Sequence, residues 1–247
     1  IQQIGADGGE VTLITGLPVS WYQDAEDLKS VLQGRHVYWV NGERAWVEVT
    51  EVRVIPQPFG TLFRTLLNRR GILTDPKRLT DRRVAIIDVG TYTTDYALSD
   101  ALRYVEPRSG STQSAMAEVY KLLQRTIGEQ YDLELDLRDV ESALRAGAVT
   151  LYGDLVSIEP FIKSAVDEVA GAIIAQAESL WPNRARTFAA VLLTGGGASF
   201  VHDRVSDVFP HAQLVDNAQL ANAEGFWRYG TFKARQTRVD QRTSRTA

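Results

Sequence analysis

Cysteine is absent from the 247 residues of this chain. Disulfide bonds, thiol nucleophiles and thiolate metal sites are therefore excluded, and the composition gives no sign of an oxidising compartment. Histidine is scarce, and His36, His202 and His211 lie too far apart in sequence to form a short metal-ligand motif. We therefore predict no metal site built from protein ligands alone.

Long apolar runs are also lacking. No stretch of about eighteen apolar residues occurs, so the sequence predicts no membrane span. The first residues, Ile1–Ile4, lack the basic and apolar blocks of a signal peptide. Together with the missing cysteines, these features predict a cytoplasmic protein that does not contact a membrane.

An excess of positive charge is the third absence. The chain carries 27 Lys and Arg against 31 Asp and Glu, with a formal net charge of -4 and a pI near 5.5. This balance predicts no direct nucleic-acid binding. With 44% hydrophobic residues, the chain can bury a sizeable core and form one large domain or two smaller ones.

The clearest local pattern is a β-hairpin over residues 36–50. Aromatic and β-branched residues alternate with polar ones on both sides of Asn41-Gly42. Asn-Gly favours a two-residue type I′ turn, because both residues accept positive φ. Exposed tryptophans on this hairpin, Trp39 and Trp46, can pack in a small lobe or contact another protomer.

The remaining pattern mixes strands and helices, which predicts an α/β protein with mixed sheets. The tail over residues 236–247 is polar and is predicted to lack regular structure. Strands are predicted at residues 10–16, 52–55, 82–88, 187–194 and 213–216, with a second hairpin at 96–105. Helices are predicted at residues 24–33, 60–70, 113–130, 137–146, 157–181, 200–209 and 217–233.

Two predicted strands end in loops of small, hydroxylic or acidic residues. The first spans residues 84–95, VAIIDVGTYTTD, and the second spans residues 191–198, VLLTGGGA. Ligands bind α/β sheets at the carboxyl ends of strands, so both loops stand where a ligand is expected. Asp88 can hold a hydrated Mg²⁺ or orient a water molecule, and an aspartate that caps a turn is the alternative.

The residues that follow Asp88 suit phosphate binding. Gly90 lets the backbone approach a phosphate, and the hydroxyls of Thr91, Thr93 and Thr94 can donate to its oxygens. Asp95 can help to position water or metal-bound water. An ordinary hairpin turn, with Asp95 as a solvated carboxylate, remains the alternative.

The second loop admits a flat or bulky ligand. Gly195, Gly196 and Gly197 allow close approach, and Ala198 would begin a helix whose amide end favours anionic groups. The loop lacks the Gly-Lys-Ser/Thr of a Walker motif, and Phe200 breaks the dinucleotide fingerprint. A glycine-rich connection without a ligand is the alternative.

The chain resembles the actin-like ATPase superfamily, in particular the plasmid-segregation (ParM-like) actin homologues of prokaryotes. The matching segments span nearly the whole chain in the expected order: Thr15–Val19, Pro56–Pro58, Asp88–Asp95, Thr194–Ala198 and Ala221–Gly230. The resemblance implies the actin-like, ribonuclease H-like ATPase fold, with two lobes around a nucleotide cleft. Residues 1–87 would be the remainder of the first lobe and residues 88–235 the second.

The same resemblance implies ATP and Mg²⁺ as cofactors. Asp88 would hold the metal through water and orient the attacking water, with Asp95 beside it. Gly90–Thr94 would bind the β- and γ-phosphates, and Gly195–Ala198 the adenosine. Gly110 would line the nucleoside side of the cleft.

The chain departs from the family pattern at two places. The first phosphate loop has no convincing counterpart, since Asp7-Gly8-Gly9 is only a superficial substitute, so we expect the amino-terminal part of the fold to be incomplete. Tyr92 stands where the family often has a small residue, and its ring either narrows the loop or points to solvent.

Three functions remain open from the sequence. The first is an ATPase that forms nucleotide-regulated filaments for plasmid or DNA segregation or cytoskeletal positioning, acting through an adaptor protein bound to DNA. The second is a non-enzymatic assembly or scaffold protein of the same fold. The third is a small-molecule kinase of the superfamily, for which no substrate pocket can be assigned.

Overall fold

The computed structural model describes residues 9–74 and 79–246, excluding the side chains of residue 184 and of residues 238–246. The strands are β1 (Glu10–Leu17), β2 (Gly34–Val40), β3 (Glu43–Pro56), β4 (Arg83–Val89), β5 (Thr94–Asp100), β6 (Arg103–Tyr104), β7 (Gly110–Thr112), β8 (Ala148–Leu151), β9 (Asp154–Ser157), β10 (Ala190–Thr194) and β11 (Ala212–Leu214). The α-helices are α1 (Ala25–Leu32), α2 (Phe59–Leu66), α3 (Met116–Tyr131), α4 (Leu137–Ala146), α5 (Glu159–Leu180), α6 (Ala198–Val208) and α7 (Ala221–Thr246).

A small sheet has the order β1-β3-β2, with β1 parallel to β3 and β2 antiparallel to it. The predicted hairpin is confirmed: Asn41 and Gly42 form the turn with φ of 51° and 86°, as a type I′ turn requires. Strand β3 is longer than predicted because it also takes in Val52–Ile55. Helix α1 packs its Leu28 and Leu32 on one face of this sheet.

The large sheet has the order β11-β10-β4-β5-β6, and β7 pairs with β5. Strand β10 runs parallel to β4 and β11, whereas β4 and β5 are antiparallel. Alternate residues of β4 belong to two separate cores: Ile87 faces the cluster formed with α3, α5 and α6, and Ile86 faces the cluster formed with α2. Burial on both faces explains the continuous apolar run in the sequence.

Helix α7 returns to pack on α2 and β1. The two helices cross at Gly60 and Gly225, where a Cβ on Gly225 would overlap the carbonyl oxygen of Gly60. Glu224 accepts a hydrogen bond from Arg64 of α2 at 2.8 Å, and Arg228 donates to the Arg64 carbonyl oxygen at 2.6 Å. The glycines therefore permit a close crossing, and the charged side chains beside it hold the two helices together.

Several predicted boundaries were wrong. Helix α2 ends at Leu66 rather than residue 70, because Asn68 accepts hydrogen bonds from the backbone N–H groups of Arg70 and Ile72 and forms a turn there. Helix α7 continues to Thr246, where the sequence predicted no regular structure. A polar composition does not prevent a helix that grows from a packed amino-terminal half.

One hairpin was not predicted. Strands β8 and β9 pair around Tyr152 and Gly153, which take φ of 52° and 96°. The strands are four residues each, too short to show clear alternation. Strand β4, Arg83–Val89, crosses the proposed boundary between residues 87 and 88. The predicted substitute Asp7-Gly8 lies outside the described residues.

Candidate functional site

The two signature loops meet at one end of the large sheet. Thr194 and Asp88 are paired across the parallel strands β10 and β4, so both loops leave the sheet side by side. Gly195 has φ of +91°, and a Cβ there would lie 2.5 Å from Asp88 Oδ1. The Gly197 N–H donates to the Val89 carbonyl oxygen at 2.9 Å. The second loop is therefore in direct contact with the aspartate of the first.

Asp88 is buried, with 5% of its surface exposed. Its Oδ2 accepts a hydrogen bond from Asn222 Nδ2 at 2.6 Å and another from Gln57 Nε2 at 3.3 Å. Burial raises the pKa of Asp88 from 3.8 to about 6. The bond from Asn222 lowers this pKa, the nearby Asp95 raises it, and the bond from Gln57 lowers it. Within the described part of the chain, the carboxylate is therefore compensated by the amides of Asn222 and Gln57.

Asp95 lies directly opposite Asp88 in the β4–β5 register. It is 2% exposed, so it is not the solvated turn carboxylate considered as an alternative. The Ser111 hydroxyl donates to Asp95 Oδ1, and the Val19 backbone N–H also donates to its carboxylate. Burial raises the pKa of Asp95, and these two hydrogen bonds oppose the rise. Asp95 thereby connects the large sheet to the segment that follows β1.

The predicted phosphate loop is a compact turn. The Gly90 N–H donates to the Thr93 carbonyl oxygen at 2.9 Å. Thr91 and Thr93 are exposed. The Tyr92 ring is 75% exposed, so it points to solvent and does not narrow the loop. Thr94 is buried, and its hydroxyl donates to the Ser114 carbonyl oxygen at 2.7 Å. The hydroxyls of Thr91 and Thr93 are thus the ones placed at the surface of the loop.

A cavity of about 360 Å³ opens beside the second loop. Gly195 and Gly196 form one wall with Ser199 of α6, and residues 214–219 form the other. Ala198 is the buried first residue of α6, and its N–H donates to the Gly195 carbonyl oxygen at 3.2 Å. This cavity therefore combines glycine walls with the polar side chains of residues 216, 217 and 219.

Gly110 is placed differently from the other predicted residues. It begins β7 and pairs with Tyr96 of β5. A Cβ on Gly110 would lie 3.8 Å from Leu180 of α5. Its contacts are therefore with the β5 and α5 side of the sheet.

Two residues of the site were missed as site residues. Gln57 and Asn222 belong to segments that carried the resemblance, but the sequence assigned neither a role. The signal available was their position in the chain: Gln57 follows the end of β3, and Asn222 lies in the first turn of the last helix. A buried hydroxyl pair extends the site, because Thr61 donates to Thr194 Oγ1 at 2.8 Å.

The donor set suits a hydrated Mg²⁺ better than an ion held only by the protein. Among the described residues, no group of three or more His, Cys, Asp or Glu is placed to hold a metal. Magnesium usually keeps several waters and binds through one or two carboxylates together with substrate phosphates. The Asp88 carboxylate, with Gly195 against its Oδ1 atom, fits that arrangement.

The helices of the described part are also too short or too polar to cross a membrane.

A mixed sheet that ends in two adjoining glycine-containing loops, one with a buried aspartate, defines an α/β protein with a candidate ligand site at the carboxyl ends of its strands. Two family models match the chain: the C-terminal part of the archaeal MreB-like actin homologues over residues 86–207, and the N-terminal domain of actin-like proteins over residues 1–60. The chain belongs to the actin-like ATPase superfamily, and it shares its fold with solved ParM structures.

Solved structures share the fold. The archaeal actin homologue Ta0583 aligns with a TM-score of 0.79 and 22% identity over 94% of this chain and 72% of its own. Its complex with ADP aligns with a TM-score of 0.75 and 21% identity, over 92% of this chain and 73% of its own.

A 15-stranded ParM filament from Clostridium botulinum aligns with a TM-score of 0.69 and 21% identity, over 88% of this chain and 65% of its subunit. The chain thus spans between 65% and 73% of the length of these proteins. No curated protein sequence matches it.

Proposed function

We propose that this chain is an actin-like protein that binds Mg-ATP, hydrolyses it and forms nucleotide-regulated filaments. The observation that carries the proposal is the direct contact between Gly195 and the Asp88 carboxylate, which brings the two predicted nucleotide loops into one site. The structures of an ADP-bound archaeal actin homologue and of a ParM filament support it by their shared fold.

In this proposal each loop has a separate task. The 360 Å³ cavity beside Gly195 and Gly196 receives the nucleoside. The turn over Gly90–Thr93 faces the phosphates with the hydroxyls of Thr91 and Thr93. Bound Mg²⁺ would neutralise phosphate charge, and Asp88 would hold it through water.

The residues around Asp88 orient and desolvate its carboxylate. Gln57 and Asn222 fix one of its oxygens by hydrogen bonds, and the surrounding burial raises the pKa of the acid to about 6. A carboxylate in that state is ionised at neutral pH and can accept a proton more readily than a solvated one. Asp95 keeps its own hydrogen bonds to Ser111 and Val19 and acts as a neighbouring negative charge.

We further propose that the filaments act in the cytoplasm and position plasmid or other DNA through a DNA-bound adaptor protein. A net charge of -4 favours an adaptor over direct DNA contact.

A non-hydrolysing scaffold is the second candidate. The favouring observation is that the Thr94 hydroxyl is already bonded to the Ser114 carbonyl oxygen and is not presented to a phosphate.

The decisive experiment measures Mg-ATP binding, phosphate release and light scattering in one sample. The comparison is between the natural protein, Asp88→Ala and a control, Asp203→Ala, whose side chain is 99% exposed on α6. We expect ATP-dependent scattering and phosphate release in the natural protein and the control, and loss of release in Asp88→Ala. Scattering with ATP but no release in any of the three would favour the scaffold. No nucleotide binding and no scattering would reject the ATPase and leave an actin-fold protein that acts by binding partners.

A further inference from the structure

Asn222 links three separate elements at the site. It lies in the first turn of α7, donates from Nδ2 to Asp88 Oδ2 on β4, and accepts at Oδ1 from the Thr61 backbone N–H of α2 at 3.0 Å. The Thr61 hydroxyl also lies 2.8 Å from Asn222 Oδ1. One side chain thus spans from the helix crossing to the metal-site carboxylate.

The orientation of this amide is determined by its partners. The Thr61 N–H can only donate, so it must face the Asn222 oxygen, and the carboxylate of Asp88 must then face the NH₂ group. A flipped amide would place two donors together at Thr61 and two acceptors together at Asp88. The network therefore permits one orientation, in which Asn222 donates to Asp88.

The backbone position of Asn222 is equally constrained. A Cβ on Gly60 would lie 2.5 Å from the Asn222 carbonyl oxygen, so the first turn of α7 is pressed against the start of α2. Three residues later, Gly225 sits against the Gly60 carbonyl. The backbone of Asn222 therefore cannot move away from Asp88 unless the two helices separate.

The two carboxylate oxygens of Asp88 have different contacts. Both amides, from Asn222 and Gln57, bond to Oδ2, whereas Oδ1 is the oxygen that a Cβ on Gly195 would touch. The oxygen that faces the second glycine loop is therefore the one with no amide donor among these contacts.

We propose that Asn222 is a positioning residue for Asp88: it holds Oδ2 so that Oδ1 is presented to the water shell of the nucleotide-bound Mg²⁺. This inference rests on the function proposed above. It assigns to the last helix a role in metal-dependent nucleotide binding that is separate from its packing against α2.

The test compares binding with and without the metal, since only the metal-dependent part should need Asn222. Binding of ADP is measured in EDTA, and the Mg²⁺ concentration for half-maximal ATP binding is then measured for the natural protein and Asn222→Ala. We expect the variant to need about tenfold more Mg²⁺, in line with the loss of one charge-assisted hydrogen bond. Its affinity for ADP in EDTA should stay within about twofold.

The matched control is Thr231→Ala, which changes a half-buried threonine on the same helix whose hydroxyl bonds to the Trp227 carbonyl oxygen. It should alter neither quantity. An equal loss of affinity with and without Mg²⁺ in Asn222→Ala would show that the residue merely supports the fold, and would overturn the proposal.

A second measurement does not depend on the nucleotide. In the nucleotide-free protein, the side-chain amide NMR signal of Asn222 should shift in Asp88→Asn and not in Asp203→Asn. An unchanged signal would refute the contact even if Asn222→Ala fails to fold. Absence of nucleotide binding by the natural protein would instead reject the proposed function, with the amide signal still reporting on Asn222.

Discussion

Replacing Asp88 by Asn should make the nucleotide-free protein more stable at neutral pH while removing metal-dependent nucleotide binding. The side chains are nearly isosteric, and the Asn carbonyl oxygen can still accept from Asn222 and Gln57. The change therefore removes a buried charge and keeps its hydrogen bonds.

The magnitude follows from the pKa. Burial raises the pKa of Asp88 from 3.8 to about 6, which corresponds to about 3 kcal/mol at 1.36 kcal/mol per pKa unit. Because the folded-state pKa is the higher one, the folded protein binds the proton more tightly than the unfolded chain between about pH 4 and pH 6. Stability from this group is therefore greatest below pH 4 and is lost as the pH rises through about 6.

The assay is urea unfolding at pH 4 and pH 7, analysed by linear extrapolation. We expect Asp88→Asn to raise the free energy of unfolding by about 3 kcal/mol at pH 7 and by little at pH 4. The control Asp203→Asn, at a side chain that is 99% exposed, should change neither value. Destabilisation at pH 7, or the same change at both pH values, would refute the account of a buried and incompletely compensated charge.

Three further substitutions, with a fourth as a control, test the packing around the site by urea unfolding and nucleotide binding. Gly225→Ala should destabilise the folded protein by about 3 kcal/mol or more, since its Cβ would overlap the Gly60 carbonyl oxygen. The control Gly171→Ala lies in a helix with nothing near the added Cβ, and it should stabilise the protein by about 0.5–1 kcal/mol. Equal effects of the two would contradict a close helix crossing. Gly195→Ala should weaken nucleotide binding by at least about tenfold, because φ of +91° and the contact with the Asp88 carboxylate exclude a side chain. Unchanged binding would argue against a role of this loop in holding the nucleotide. Thr194→Val should cost only about 1 kcal/mol, because it removes one hydrogen bond to the Ala218 carbonyl oxygen, which keeps the Gly195 N–H as a donor. A loss of several kcal/mol would contradict this reading of the buried hydroxyl pair.

Much of the fold could be predicted because its signals are local. The turn at Asn41-Gly42 depends on two adjacent residues, and helix α4 was predicted with its observed ends because Asp136 and Gly147 cap it. The β8–β9 hairpin could not be predicted in the same way. Its turn at Tyr152-Gly153 requires positive φ from a tyrosine, which no local preference favours.

The candidate site was predictable in part for a related reason. Asp88, Gly90 and Gly195 stand at the ends of apolar strands, so their location at a sheet edge follows from the sequence pattern. Asp95 was harder, since a carboxylate in a threonine-rich turn usually meets solvent. Only the pairing of β5 with β4 and β7 encloses it beside Ser111.

The sequence by itself determined where most strands and helices and both glycine loops lie, because turn chemistry and apolar periodicity are properties of neighbouring residues. The tertiary structure alone decided which side chains meet. Asn222 reaches Asp88 across 134 positions of the chain, and it does so only because Gly60 and Gly225 let α7 cross α2 at close range. The state of the buried carboxylate is set by those distant amides and by exclusion of water, neither of which the order of residues around Asp88 contains.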